Sequence, residues 1–492
     1  MGQTPNGGQA NQIGPPRKLH GISEKNGLEG VRVTQTRVRW GLVCLATLFV
    51  AVLTWLHQQS TRLSIMDMLH QMEGEHWYRV SLNRRPVGQY RTEVLVGRTI
   101  RIVTEMQFRL GSPVETHISE TRVFATEPPH QLIHARHTQR HGGADDEVLE
   151  ASVLRDRGKL YAVAPTGTQL PLPSEYELAD YLNIELWLMN DAPRADQSRE
   201  AKHIDFERLD IATKIWSVFD KNDQGYIVRS ENELGFTEIQ LDHELTAKTM
   251  KDRHFFLERV TSERGPVSNW RRRANFPRQP EFSIALPEPL RNPTKLSRLV
   301  LQPSGVSPRD SGILLVGDSV SHAKVDPITP TTYLRETLRH PVSHQSIKDL
   351  ANAATQTTTT PLKQTEALTH FVHNYLVYED LEDVRSVLDT IERRSGDCSE
   401  FAELFTTLAR ASNLPARTVV GLAYDANNRV FAKHAWNEIA IDGWWMAVDP
   451  TWNQVRADAT HLRLSDETMA ALEQSSPLSF EIVETEYFNA GS

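Results

Sequence analysis

Residues 430–448, VFAKHAWNEIAIDGWWMAV, constrain the fold more than any other stretch of the chain. Two alternating segments flank Asp442-Gly443, a dipeptide suited to the left-handed turn of a two-residue hairpin. With that dipeptide as the turn, Ile441 faces Trp444 and every other pairing follows. Ala435, Ile439, Ile441, Trp444, Met446 and Val448 then share one largely apolar face, with Asn437 the exception on it. His434, Trp436, Glu438, Trp445, Ala447 and Asp449 share the other. Asp449 falls opposite Trp436 and diagonal to His434, within side-chain reach.

A helix precedes this hairpin. In residues 399–412 the apolar positions Phe401, Leu404, Phe405 and Leu408 recur with a helical period, and Asn413 and Pro415 stop the run. Gly396-Asp397 leads in, so Cys398 lies at the helix start. Free N–H groups and the helix dipole there favour an anion, and predict a thiol that titrates below its usual range. Alone, Cys398 reads equally well as a small buried apolar residue. A disulfide is disfavoured, because the only other cysteine, Cys44, lies in a long apolar run. Metal binding would lack a second thiolate, and no metal or other cofactor is expected.

Singly, His434 reads as a strand histidine and Asp449 as a turn residue before Pro450. Jointly with a helix-start cysteine they read as nucleophile Cys398, base His434 and orienting acid Asp449. The backbone N–H of Cys398 would supply half of an oxyanion hole. Tyr375 and Tyr378 are both candidates to lie near the cleft, and Trp436 and Trp445 are expected to floor it.

These segments also carry a family resemblance. GDCSEFAELFTTLARASNLPAR, KHAWNEIAIDGWWMAVDPTW and DATHLRL resemble the bacterial branch of the transglutaminase-like superfamily, over about residues 346–464. Its pattern is a cysteine at a helix start, a histidine on a strand and an aspartate after the next strand. The resemblance implies a papain-like α+β core and thiol acyl chemistry, with Cys398, His434 and Asp449 in the three roles. It does not choose among transamidation, peptide cleavage and amide hydrolysis.

The chain begins differently. Residues 1–39 are rich in Gly, Gln, Asn and Pro without apolar period, and read as a disordered tail. Residues 40–56, WGLVCLATLFVAVLTWL, carry no charge and read as a membrane helix. Arg17, Lys18, Lys25, Arg32, Arg37 and Arg39 outnumber Glu24 and Glu29 before it, which predicts a cytoplasmic N-terminus and a periplasmic main body. Residues 57–74 form a juxtamembrane segment with a short helix. Residues 75–282 read as a β-rich domain of alternating strands, including 99–110, 117–124 and 159–163, with one helix over 181–189.

Within that domain, 220–231 has the length and acidic ends of a calcium loop. Glycine at Gly235 and strand character after it favour a plain hairpin instead. Residues 283–345 hold short apolar runs among Pro, Ser and Gly, and read as an extended connector laid against a domain. A transglutaminase-like domain then covers 346–475, and 476–492 forms a C-terminal strand and tail. The expected fold is therefore α+β: a papain-like transglutaminase core after a largely antiparallel β domain, with one N-terminal transmembrane helix.

A net charge of -9 over 492 residues gives no nucleic-acid footprint. The expected protein is a single-pass inner-membrane enzyme that cleaves or exchanges amides of a protein, peptide or envelope polymer. The alternative is a non-catalytic envelope scaffold on the same fold.

Overall fold

The computed structural model describes residues 64–488, without 83–84, 110–114, 143–147, 173–174, 233–234, 253–254, 261–281, 307–311, 320–323, 326–328, 381–384, 465 and 474–477. The expected tail at 1–39, the membrane helix at 40–56 and Cys44 lie outside the described residues. Among the described residues no helix is long and apolar enough to cross a membrane. The short helix expected before the β-rich domain is Ile65–Met72, capped by Ser64, whose hydroxyl accepts the Asp67 N–H at 3.1 Å.

Among the described residues, fourteen strands between Gly74 and Val260 join into one antiparallel sheet. Eight follow in chain order from Gly74–Leu82 to Gln169–Pro171, and six more run from Ser198–Asp205 to Phe255–Val260. The two meanders meet where Gly74–Leu82 pairs with Phe255–Val260. Alternation drives the burial: in Thr99–Phe108, Ile100 and Ile102 are buried while Arg101 faces out. Phe124 and Leu132 share a core with Ile204 and Phe206 from the far end of the strand order, so the sheet curls on itself. Two helices, Leu178–Tyr181 and Asn183–Asp191, stand where one was expected, and Leu178 of the first and Leu182 between them join that core.

The stretch weighed as a calcium loop is a hairpin. Asn222 pairs with Gly225 across the turn between Asp210–Asn222 and Gly225–Asn232. Its oxygens are used inside the turn: Asn222 Nδ2 donates to Asp220 Oδ2 at 2.9 Å, and Asn222 Oδ1 accepts the Gln224 N–H at 2.8 Å.

Residues 283–345 are not the extended connector that their composition suggested. Ser283–Ala285 pairs with the strand Val430–Ile441. Leu296–Ser304 lies between Leu315–Asp318 and the C-terminal strand Ser479–Tyr487. Leu296, Leu299, Leu301 and Leu315 are buried with Leu422, Phe431 and Phe480, and that shared apolar core makes the segment part of the C-terminal fold.

The last region has helices Gln345–Thr355, Pro361–Tyr375, Val387–Arg393 and Cys398–Ala411 against a small sheet. Ala416–Asp425 runs between Val430–Ile441 and Leu462–Arg463. The other edge of Val430–Ile441 is shared by Ser283–Ala285 at one end and Trp444–Val448 at the other. Phe401, Leu404, Phe405 and Leu408 of the cysteine helix pack on Ile439, Met446 and Val448, the apolar face of the hairpin. The exception on that face is also accounted for. Asn437 Nδ2 donates to Ala402 O and Thr406 Oγ1, both at 2.8 Å, and so ties strand to helix.

Candidate active site

Cys398 is the first residue of its helix. Asp397 caps it, accepting the Ser399 N–H at 2.7 Å, while Glu400 Oε2 accepts the Asp397 N–H at 3.0 Å. A Cβ on Gly396 would meet the Glu400 Cβ at 2.4 Å, so only glycine lets the chain enter this closely.

The hairpin register follows the turn: Ile441 pairs with Trp444, Ile439 with Met446 and Asn437 with Val448. Asp442 and Gly443 have φ of 52° and 83°, the left-handed conformations of a type I′ turn. The ladder ends at Val448. Asp449 instead exchanges backbone hydrogen bonds with Gln454, each 2.8 Å, closing a loop that carries Trp452. His434 Nε2 and Asp449 Oδ2 are 2.9 Å apart in a buried pair. Asp449 Oδ1 accepts the N–H groups of Thr451 at 2.7 Å and Trp452 at 3.3 Å. The sulfur of Cys398 faces the backbone N–H of Ala435, next to His434, and feels the charge of Asp449.

The thiol does not behave as its helix position suggested. Burial pushes Cys398 up to about 12, and the Asp397 charge adds to the effect. Asp449 and Glu400 push the same way, and the Ala435 N–H offsets only part of it. Dipole stabilisation at a helix start is thus outweighed by desolvation and three carboxyl groups.

A second histidine joins the site, with no role foreseen for it. His461 Nε2 lies 3.2 Å from the same Asp449 Oδ2, and its Nδ1 lies 3.1 Å from Asp458 O and 3.4 Å from Asp458 Oδ1. Burial alone would lower His461, but the hydrogen bonds to Asp449 and Asp458 win and raise it to about 9. Burial alone would raise Asp449, but hydrogen bonds from His434 and His461 hold it well below the usual carboxylate range. The available signal was Asp458-x-x-His461 in the DATHLRL motif, a spacing that lets Asp458 bond the Nδ1 of His461. His434, Asp449 and His461 have donor types that suit a divalent cation and lie within 4.8 Å of one another. Their geometry is that of a hydrogen-bonded relay, with both Nε2 atoms aimed at one carboxylate oxygen.

The aromatic surroundings also differ from expectation. Trp436 and Trp445 are buried; Trp436 lies against the site, its ring centroid 6.3 Å from that of His434 and 5.3 Å from that of His461. Trp445 instead packs its ring under Arg417, 4.2 Å from the guanidinium, and meets the edge of Tyr333. Trp452, 36 % exposed, takes the place beside the imidazole, stacking on His434 with ring centroids 4.3 Å apart. Of the two tyrosine candidates, Tyr375 donates to Ile391 O at 3.2 Å, away from the thiol. Tyr378 pairs with Gly396, and partial burial pushes its hydroxyl up.

Residues 348–450 match the sequence profile of the transglutaminase-like superfamily core. The chain therefore holds a transglutaminase-like domain. No curated protein matches the chain. Among solved structures, a candidate cysteine protease from Cytophaga hutchinsonii is 18 % identical, covering 42 % of this chain and 86 % of its own, with a TM-score of 0.27. A β-barrel-like protein from Brucella abortus is 10 % identical over 38 % of this chain and 94 % of its own, TM-score 0.29. A candidate protease from Parabacteroides distasonis is 10 % identical over 76 % of this chain and 68 % of its own, TM-score 0.18. The transglutaminase-like domain spans the cysteine helix and the hairpin up to Pro450. Trp452, Asp458 and His461 lie beyond the matched residues.

Proposed function

We propose that the transglutaminase-like domain is a thiol-dependent amide-processing enzyme in which Cys398, His434 and Asp449 act as one unit. The observation that carries this reading is the buried 2.9 Å bond from His434 to Asp449 beside the cysteine helix. It holds the imidazole by Nε2, and Nδ1 is the nitrogen that takes the thiol proton in this proposal. Because burial keeps Cys398 protonated at rest, His434 takes the proton as sulfur attacks the amide carbonyl. The S–C bond forms, the C–N bond breaks, and His434 returns the proton to the leaving amine. The acyl group stays on Cys398 as a thioester. Attack by water releases a carboxylic acid, and attack by a primary amine makes a new amide. Either route restores the thiol.

The same reading places the protein in the bacterial inner membrane through residues 40–56, with the domain in the periplasm and a protein, peptide or envelope polymer as substrate. A reporter active only in the periplasm, fused after residue 492, is expected to give signal. Signal from a cytoplasm-only reporter instead would reverse the topology.

The raised Cys398 thiol favours the second reading, a binding scaffold that keeps the fold without turnover. Full-length protein in detergent, incubated with dimethylcasein and a fluorescent primary amine, separates the readings. Fluorescent casein supports transamidation, and casein fragments without label support hydrolysis; C398A should abolish both. Neither product, together with equal iodoacetamide labelling of Cys398 in wild type and H434A, would leave the scaffold.

A further inference from the structure

We infer that His461 is a positioning residue of the Cys398–His434–Asp449 site, holding the Asp449 carboxylate and setting the charge that His434 feels. This rests on the catalytic reading above and adds a residue to it. Asp449 Oδ2 is bonded from two sides, by His434 at 2.9 Å and by His461 at 3.2 Å. His461 is bonded in turn by Asp458, and Asp458 is itself clamped. Its Oδ1 accepts the Thr460 N–H at 2.9 Å and the Thr460 hydroxyl at 2.6 Å, and its Oδ2 accepts from Gln454 Nε2 at 2.9 Å. Gln454 is also the backbone partner of Asp449. One loop, residues 449–461, therefore closes on itself through two carboxylates and one imidazole, all of them buried.

Charge alternates along this chain of groups, and that alternation gives His461 its effect. With Asp449 and Asp458 ionised, a His461 cation neutralises one carboxylate and leaves the other to face His434. The ring centroids of His434 and His461 are 5.8 Å apart. Two like charges at that distance, at an effective dielectric of ~20, are worth about two pH units. The charged groups bonded to the pair are Asp449 and Asp458; Cys398, with Asp397 and Glu400 beside it, feels the Asp449 charge, and His370 and His373 of the helix Pro361–Tyr375 bond the same loop at Asn453 and at Pro450 and Thr451. Without the His461 cation, the Asp449 carboxylate acts on His434 undivided. A residue that only filled space would leave the pH dependence of the site where it is.

The test uses full-length protein in detergent and the rate of iodoacetamide labelling of Cys398 across pH 5–10, read by mass spectrometry on the peptide that carries it. Wild type is expected to lose rate in acid. H461Q keeps an amide donor for Asp449 but no charge, and its acid limb should move up by about one to two units. D458N leaves His461 and Asp449 in place but weakens the cation, so its limb should move the same way by less. The rate above the limb should stay within about threefold of wild type in both. Superimposed acid limbs in the three folded proteins would overturn the role of His461 and leave the catalytic reading standing. A wild type with no acid limb, indistinguishable from H434A, would sink both. If H461Q does not fold, D458N alone decides, since a shifted limb supports the inference and an unshifted one ends it.

Discussion

Asp397 does two things at once: it caps the cysteine helix and raises the neighbouring thiol. Asn caps nearly as well as Asp and carries no charge, so D397N separates the two effects. Labelling of Cys398 at pH 8 should rise several-fold with helix stability almost unchanged. An unchanged rate would assign the raised thiol to burial and the other two carboxyl groups. His461 has a stability consequence as well. Its folded-state pKa is raised, so its contribution is fully present below about 6.5 and is lost as pH rises through about 9. Asp449 is shifted down, so its contribution is present above about 3.9 and is lost as pH falls. The melting temperature of wild type should therefore drop between pH 6.5 and 9.5 by more than that of H461Q. Parallel curves would mean that His461 is not charged in the folded protein.

At the scale of elements, the cysteine helix and the histidine strand are joined by Asn437 as much as by apolar packing. N437A leaves the Ala402 carbonyl and the Thr406 hydroxyl without this donor in a buried seam. The cost should be about 1–3 kcal/mol in denaturant unfolding. A loss under ~0.5 kcal/mol would mean that other groups take over both acceptors. The turn is a second sensitive point, because Gly443 has a φ of 83° and its left-handed conformation strains any β-branched side chain. G443V is expected to cost about 1–2 kcal/mol. It should also slow labelling of Cys398, since a disturbed turn shifts the register that brings Asp449 to His434.

At the scale of the molecule, residues 333–343 tie the large sheet to the cysteine helix. Leu338 is buried in the core of the sheet region, and its N–H donates to Glu207 O at 3.0 Å. Arg335 pairs with Asp210 at 2.7 Å, and Ser343 and Thr168 share a hydrogen bond of 2.8 Å. On the other side, His340 Nδ1 lies 3.0 Å from Thr407 Oγ1, and Arg410 donates to the carbonyls of Arg335 and Ala416 at 3.3 and 3.0 Å. Both Thr407 and Arg410 belong to the cysteine helix. A single peptide stretch thus inserts into one core and hydrogen-bonds to the next. L338A should lower stability by about 2–5 kcal/mol. L338D, which buries a charge, should split one calorimetric transition into two. One unsplit transition in L338D would show that the two regions stay coupled without this side chain.

Much of the site was legible locally, because the interactions that make it are local. The Asp442-Gly443 turn sets the hairpin register, and the register brings His434 and Asp449 together. The period of Phe401, Leu404, Phe405 and Leu408 sets the helix, and the Gly396-Asp397 entry puts Cys398 at its first position. The central strand Ala416–Asp425 carried no distinctive alternation and was not foreseen; it is a strand because Val430–Ile441 and Leu462–Arg463 pair with its two edges. Segment 283–345 looked like a connector because its partners, Val430–Ile441 and Ser479–Tyr487, are more than a hundred residues away. The state of the Cys398 thiol was also out of reach. Helix position is a property of neighbours in sequence, whereas desolvation depends on what folds over the sulfur. His461 is the clearest case: its spacing to Asp458 is visible in the chain, but only the closed loop 449–461 brings it to the carboxylate that His434 already holds.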